Sequence, residues 1–154
     1  MMNITFISYI SLFVLLMGFA TVQAEESTAD FLSSFIAGNY HLLGKAPDSN
    51  ETYYGKLTLS QTEKGIMVQR TIKGKTTIGL GKMVKSLADK VDILRINFTE
   101  NSMDYEETCL ISGDLDNYPR ITCHLYRLGR PDRSDKSSPI TTSPGLEALF
   151  IDNR

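Results

Sequence analysis

Apolar residues alternate with polar ones along most of the middle of the chain, and this alternation predicts β-strands. In a strand, successive side chains point to opposite faces, so an apolar residue at every second position marks a half-buried strand. Leu94, Ile96 and Phe98 show the pattern in one short segment. The same pattern predicts seven strands, at residues 39–43, 54–61, 66–72, 76–84, 91–98, 105–111 and 120–128.

Short connections join these strands, which favours antiparallel pairing between neighbours in the chain. Lys73-Gly74-Lys75 is typical of a tight hairpin turn. A long meander has to bury one face of every strand, and closing it into a barrel also removes the exposed edges. Gly79 and Gly81, within one strand, suit a close backbone approach. The predicted fold class is therefore all-β, an antiparallel up-and-down barrel of about seven to eight strands with short terminal helices.

A first helix is predicted just before the strand region. Ser27 with Asp30 three residues later can begin this helix, and Gly38 can end it. Its apolar stripe consists of Phe31, Leu32, Phe35 and Ile36. We expect this stripe to cover one mouth of the barrel.

The last part of the chain, residues 129–154, is predicted to be a polar and flexible tail that ends in a short helix. Ser143-Pro144 can begin the helix, because proline suits the first helical turn. Leu146, Leu149 and Phe150 then follow at helical spacing. Packing of this helix back onto the domain and docking onto a partner both stay open.

Residues 1–24 have the composition of a secretory signal peptide. The segment carries no Asp, Glu, Lys or Arg and is apolar from Ile7 to Phe19, a run shorter than the ~20 residues that usually span a membrane. Cleavage after Ala24 would leave a barrel domain over residues 25–128, the tail, and no membrane anchor. An uncleaved membrane anchor is the alternative. We therefore expect a secreted or periplasmic protein.

Cys109 and Cys123 are the only cysteines, and in an exported chain they predict a disulfide. A turn centred near Asp116 sets them opposite each other on adjacent strands, and it sets Ile111 opposite Ile121. A calcium loop, a redox motif and a zinc site fit less well, because their ligands or spacings are missing. A disulfide without metal or other cofactor is therefore expected.

Charged residues are mixed along the chain, which has a formal net charge of −2. A nucleic-acid surface normally shows a clustered basic excess, so nucleic acid is not an expected partner. Arg70 and Arg95 lie in strand-like segments, and the cysteine register places Glu107 on the face that Leu125 shares. A charge inside a barrel needs an opposite charge or an ionic ligand. These three charged residues are candidate ligand-binding residues, and a solvent-facing position for either arginine stays open.

Two short motifs stand at the first two predicted strands, Gly38-Asn39-Tyr40 at the first and Tyr54-Gly55-x-Leu57 at the second. Together with the meander, they resemble the calycin superfamily of lipocalin-like and avidin-like barrels. The strand pattern also resembles that of small exported bacterial proteins. The resemblance covers residues 38–127 and implies a pocket for a small apolar or amphipathic molecule. The resemblance implies that Tyr40 takes the aromatic position that those families fill with tryptophan, which this chain lacks, and that Arg127 is the basic residue set against it. Both are therefore candidate ligand-binding residues.

The function expected from these features is that of a binding protein without enzymatic activity. The sequence contains no nucleophile elbow, phosphate loop or metal-ligand spacing. The best polar cluster, around Glu106 and His124 on one sheet face, is equally typical of a solvated surface. The alternative is a protein-interaction or inhibitor module that acts through barrel loops at residues 45–53 and 114–118. A small ligand and a protein partner therefore both remain open.

Overall fold

The structure of the protein is a computed structural model, and it describes residues 24–86, 90–113, 119–129 and 140–152. These residues form one α-helix, α1 (Ala24–Phe35), followed by eight β-strands. The strands are β1 (Gly38–Lys45), β2 (Thr52–Thr62), β3 (Gly65–Ile72), β4 (Lys75–Ser86), β5 (Val91–Glu100), β6 (Met103–Gly113), β7 (Pro119–Arg127) and β8 (Gly145–Ile151). The seven predicted strands are confirmed, with small shifts at their ends. The predicted leader lies outside the described residues apart from Ala24.

The eight strands close into one antiparallel barrel, in which each strand pairs with its neighbours in the chain and β8 pairs with β1. The predicted fold class is confirmed. Alternate residues of β7 are buried and exposed from Pro119 to Leu125, because inward side chains fill the interior while outward ones meet solvent. The buried interior is mainly aliphatic and includes Leu42, Leu57, Leu59, Ile66, Val68, Leu94, Ile96, Ile121 and Leu149.

The β6–β7 hairpin has the register that the sequence predicted. Cys109 lies opposite Cys123 and Ile111 lies opposite Ile121. The two cysteines form a disulfide, and both belong to the buried core. The loop between these strands, at residues 114–118, lies outside the described residues.

The predicted C-terminal helix is wrong, because Gly145–Ile151 forms strand β8. The helical spacing of Leu146, Leu149 and Phe150 is coincidental, since Leu149 is buried inside the barrel whereas Leu146 and Phe150 point to its outside. Before β8 is added, β1 and β7 would each present an unpaired edge of N–H and C=O groups. Pairing of β8 with both edges gives the backbone N–H and C=O groups of all three strands their hydrogen-bond partners. The barrel therefore extends to residue 151. The rest of the predicted flexible tail, residues 130–139, lies outside the described residues.

Helix α1 packs at the end of the barrel where β1 begins. Ile36, just after the helix, is fully buried in the barrel core, and Phe35 packs against that core. The phenol of Tyr40 donates a hydrogen bond of 2.6 Å to the carbonyl of Ile36, which ties the helix end to the first strand. Phe31, predicted to belong to the covering stripe, is instead mostly exposed. Within the described residues, no helix combines the length and the apolar character needed to cross a membrane.

The turn between β3 and β4 and a glycine of β4 also follow the sequence prediction. Lys73 and Gly74 form the two-residue connection with φ angles of 51° and 79°, the backbone that a type I′ hairpin requires. At Gly79, a Cβ atom would lie 2.9 Å from the carbonyl oxygen of Asn97. Glycine therefore allows β4 to approach β5 closely at this position.

Candidate functional site

A pocket of about 300 Å³ opens at the mouth of the barrel opposite α1. We call it the mouth pocket. The connections β1–β2, β3–β4 and β5–β6 form its rim, and inward residues of the strands form its floor and walls. Its lining consists of Ala46, Pro47, Glu51, Tyr53, Arg70, Ile72, Lys73, Phe98, Glu100, Asn101, Tyr105 and Leu125. This volume is at the lower end of the range for pockets that hold small molecules.

Aromatic side chains form part of the lining of the mouth pocket. The rings of Phe98 and Tyr105 stack with their centroids 5.2 Å apart. The guanidinium of Arg70 lies over the Phe98 ring, 4.3 Å from its centroid, which is within the range of a cation–π contact. The pocket floor therefore combines flat apolar surface with one charged group.

Arg70 and two glutamates form a buried charge cluster beneath the mouth pocket. Its Nε lies 3.2 Å from Oε1 of Glu107, and its Nη2 pairs with Oε1 of Glu147. The hydroxyl of Tyr53 donates a hydrogen bond to the same oxygen of Glu147. Both glutamates are completely buried, and Arg70 is 2% exposed. We call Arg70, Glu107 and Glu147 the buried triad.

The buried triad contains one more acid than base, and a proton on Glu107 removes this excess. Burial, followed by repulsion from Glu147, raises the pKa of Glu107 well above its usual 4.5, although Arg70 acts in the opposite direction. Burial acts to lower the pKa of Arg70, but the two carboxylates outweigh it and hold that pKa above its usual value. Both shifts therefore favour a neutral Glu107 beside a charged Arg70.

Hydrogen-bond geometry gives independent support for a protonated Glu107. Both carboxyl oxygens of Glu107 and Oε2 of Glu147 are buried without a hydrogen bond among the described residues, although Oε1 of Glu107 keeps its ion pair with Arg70. Buried acceptors without a partner are costly. A side-chain hydrogen bond with Glu147 is also among the causes that raise the pKa of Glu107, and a proton on Glu107 would allow that bond to satisfy one oxygen of each carboxyl group.

Glu107→Gln is expected to make stability less dependent on pH. The folded state holds a proton that the unfolded chain releases above the usual pKa of 4.5. The free energy of unfolding of the wild type therefore falls as pH rises from that value towards the raised folded-state pKa. The amide keeps the shape of the acid and removes this dependence. Urea unfolding across this pH range should show slopes that differ by up to about 1.4 kcal/mol per pH unit.

Glu106→Gln provides the control for this pH profile, because Glu106 lies beside Glu107 in sequence but pairs with Arg95 near the outer surface. Its profile should follow that of the wild type. Parallel profiles for the wild type and Glu107→Gln would contradict a proton held in the barrel.

Two of the five predicted ligand-binding residues meet at the mouth pocket. Arg70 lines the pocket and Glu107 pairs with it from below. Arg95 instead points outward and lies 3.7 Å from Glu106. Tyr40 is buried near α1, where burial raises the pKa of its phenol to about 12. Because β1 begins at the α1 end, Tyr40 does not reach the mouth pocket.

Arg127, the fifth predicted residue, lies at the mouth end but faces another partner. Its Nη2 pairs with the carboxylate of Asp48. The other oxygen of Asp48 accepts hydrogen bonds from the backbone N–H groups of Thr142 and Ser143, at 2.9 Å and 2.7 Å. Arg127 therefore helps to fasten the β1–β2 loop to the segment before β8. Tyr40 and Arg127, paired by the resemblance, lie at opposite ends of the barrel.

Sequence reasoning missed Glu147 and Tyr53. Glu147 lay in the segment predicted to be helical, so its inward position could not be inferred. In a strand, Glu147 would share a face with Gly145 and Leu149, and an acid on an apolar strand face is a signal for a buried partner. Tyr53 was assigned to the β1–β2 loop, one residue before the predicted start of β2.

Two other features of the described residues do not make a comparable site. A depression of about 800 Å³ lies on the outer wall over β3, β4 and β5, but the polar residues that line it are exposed and none is held in place by burial. Donor atoms of Glu107, Cys109 and Cys123 lie within 4.8 Å of one another. The two sulfurs are joined in the disulfide, so they are not thiolate ligands for a metal.

The polar cluster considered for catalysis lies on the outer face of β6 and β7. Thr108 lies opposite His124 and Glu106 opposite Tyr126, and the centroids of the His124 and Tyr126 rings are 6.5 Å apart. His124 is exposed. The absence of enzymatic activity remains a prediction.

No protein-family model matches this chain, and no curated protein matches its sequence.

Proposed function

We propose that this protein binds a small, uncharged amphipathic molecule in the mouth pocket. The observation that carries the proposal is the pocket itself, which has aromatic walls and an arginine held at its floor by the buried triad. Sites for small molecules typically combine apolar walls with a few fixed polar groups. The disulfide fits a protein exported to an oxidising compartment, and we include secretion or delivery to a periplasm in the proposal.

The charges around the mouth pocket balance one another, which favours an uncharged ligand. At the rim, Lys73 pairs with Glu51 at 2.9 Å, and Lys75 lies 3.7 Å from Glu100. At the floor, Arg70 is balanced by Glu147 once Glu107 is protonated. A charged ligand would therefore add an uncompensated charge to a partly buried site. Apolar contact with the rings, plus a polar group near Arg70 or Tyr53, supplies the recognition.

N-phenyl-1-naphthylamine, a small neutral dye whose fluorescence rises in apolar surroundings, tests this proposal. We expect saturable binding of this dye and weaker binding of the anionic dye anilinonaphthalene sulfonate. Native mass spectrometry of gently purified protein should also show a bound small molecule. Stronger binding of the anionic dye would contradict the charge argument, and failure of both dyes together with an empty native spectrum would contradict the pocket function.

Ile72→Trp is expected to block the mouth pocket. Ile72 faces inward at the end of β3 and lines the pocket, so the larger ring would occupy the space that a ligand needs. Binding of the neutral dye should weaken at least about tenfold, since this corresponds to the loss of contact with a few buried carbon atoms. Titration of dye fluorescence measures the change.

Ile78→Trp is the matched control, because Ile78 is exposed on the outer face of β4. It introduces the same ring without entering the barrel, so dye affinity should stay at the wild-type value. Circular dichroism and thermal unfolding establish that both variants are folded. Equal loss of affinity in the two variants would place the dye outside the mouth pocket.

A protein-interaction module acting through the barrel loops is the second candidate function. The observation in its favour is the fixed β1–β2 loop, in which Asp48 binds Arg127 and the backbone before β8. Loops held on a rigid scaffold suit recognition of a partner. Two results together would favour this candidate. Native mass spectrometry would show no bound small molecule, and the protein would bind a partner saturably, with an affinity that Asp48→Ala lowers.

A further inference from the structure

The outer faces of β2, β1, β8 and β7 form a continuous wall with an unusual composition. The strand registers align their outward side chains in three rows of four. The rows are Thr52–Lys45–Leu146–His124, Tyr54–Leu43–Ala148–Thr122 and Lys56–His41–Phe150–Arg120. We call these positions the β1–β8 wall.

Large apolar side chains occupy the centre of the β1–β8 wall and are exposed. Leu43, Tyr54, Leu146 and Phe150 are between 47% and 63% exposed. They lie on three adjacent strands, so they form one patch and not scattered residues. A contiguous apolar patch on the outside of a protein commonly marks a binding surface.

Basic residues surround the apolar centre, and none of the wall positions is acidic. Lys45, Lys56 and Arg120 carry positive charge, and His41 and His124 complete the basic set. Asp152, just beyond the wall, lies 3.4 Å from His41. The chain as a whole carries a formal net charge of −2, so the charge of this wall is opposite in sign to the net charge of the molecule.

The curvature of the barrel places Lys45 and His41 on the same crest as the apolar residues of β1 and β8, and the other basic residues beside it. In an eight-stranded barrel, the outward directions of adjacent strands differ by about 45°. Leu43, Leu146 and Phe150 on β1 and β8 therefore form the crest, while Lys56 on β2 and Arg120 on β7 point sideways from it. A flat rigid partner would contact the crest, including Lys45 and His41, without reaching the charges on β2 and β7. A fluid surface that admits the crest would reach the crest and the flanking charges.

We infer that the β1–β8 wall attaches this protein peripherally to anionic lipid surfaces. Leucine and phenylalanine side chains of the crest enter the boundary between headgroups and acyl chains, and Lys45 and Lys56 contact the phosphate groups. Apolar burial and attraction between basic residues and anionic lipid act together in such binding. This attachment is independent of the mouth pocket, because the wall residues point away from the barrel interior.

Vesicle co-sedimentation of disulfide-bonded protein, purified after expression through a secretion pathway, tests the inference. We expect the protein to sediment with vesicles of equal parts phosphatidylcholine and phosphatidylglycerol, and to remain in the supernatant with phosphatidylcholine alone. The wild-type interaction should weaken as salt concentration rises. Equal binding to both vesicle types, or binding to neither, would overturn the inference.

Wall variants separate the two contributions. Leu43→Ser with Phe150→Ser should lower partitioning at least about tenfold through lost apolar contact. Lys45→Gln with Lys56→Gln should lower it on the order of tenfold through lost attraction to the anionic headgroups. Ile78→Ser and Lys82→Gln, on the outer face of β4, are the matched controls and should partition like the wild type. Loss in the control variants, or retention in both wall variants, would overturn the assignment to this wall.

Light scattering of the lipid-free protein distinguishes the lipid surface from a second copy of the chain. A monomer is expected with wild-type protein. A dimer that Phe150→Ser dissociates would overturn the inference and assign the wall to self-association. Dye binding at the mouth pocket should be unchanged in the wall variants. Failure of lipid binding can therefore be distinguished from failure of ligand binding in the mouth pocket.

Discussion

Arg70→Met is expected to lower the free energy of unfolding by about 3–5 kcal/mol, the usual cost of removing one partner from a buried ion pair. Methionine fills much of the volume of the arginine stem but supplies no charge for Glu147, which is completely buried. The cation–π contact with Phe98 is lost as well. Urea unfolding followed by circular dichroism measures the change.

Arg95→Met is the matched control, because the sequence makes Arg95 and Arg70 look alike and the structure separates them. Arg95 lies 3.7 Å from Glu106 on a partly exposed outer face, where an ion pair contributes at most about 1 kcal/mol. Equal losses for the two variants would contradict the role assigned to the buried triad.

Neutralising the whole buried triad should recover most of the stability lost in Arg70→Met. In the triple variant Arg70→Met, Glu107→Gln, Glu147→Gln, no charge remains inside the barrel. The amide oxygen of residue 147 can still accept the hydrogen bond of Tyr53. Replacement of a buried ion pair by neutral groups is often neutral or stabilising. A triple variant as unstable as Arg70→Met alone would show that shape, and not unpaired charge, causes the loss.

The strand pattern predicted most of the barrel because inward burial fixes register. The β6–β7 hairpin shows this most directly, since pairing Cys109 with Cys123 determines every other pair in the hairpin. A slip by one residue would turn Ile121 and Leu125 to the solvent. The same constraint holds in every strand with clear alternation, which explains why the predicted strands are confirmed.

Strand β8 could not be predicted by this reasoning because both of its faces carry apolar side chains. Leu149 faces the core and Leu146 and Phe150 face outward, so apolar residues do not alternate with polar ones. Its structure is determined by the open edges of β7, the preceding strand, and of β1, which is distant in sequence. Local spacing therefore favoured a helix where tertiary pairing forms a strand.

Because β8 was not predicted, Glu147 of the buried triad was not predicted either. Without β8, Arg70 and Glu107 could be placed on inward faces, but the second carboxylate of the buried triad was absent. Three strands that are separate in the chain, β3, β6 and β8, each contribute one charged residue. The spacing of these residues in the sequence does not indicate that they are in contact. Closure of the barrel brings the three side chains together.

Removal of the disulfide in Cys109→Ala with Cys123→Ala is expected to lower the free energy of unfolding by roughly 3 kcal/mol. The bond closes a segment with a sequence separation of 14, and crosslinks over such loops restrict the unfolded chain by about that amount. Reduced wild-type protein keeps both cysteine side chains in the core. It therefore measures the contribution of the crosslink to stability separately from the effect of the lost sulfur volume. Its stability should fall close to that of the double variant, with the remaining difference attributable to the cavity. Reduced protein as stable as the wild type would contradict this prediction. The barrel alone would then hold β6 and β7 together, and the crosslink would add nothing to the register that the sheet imposes.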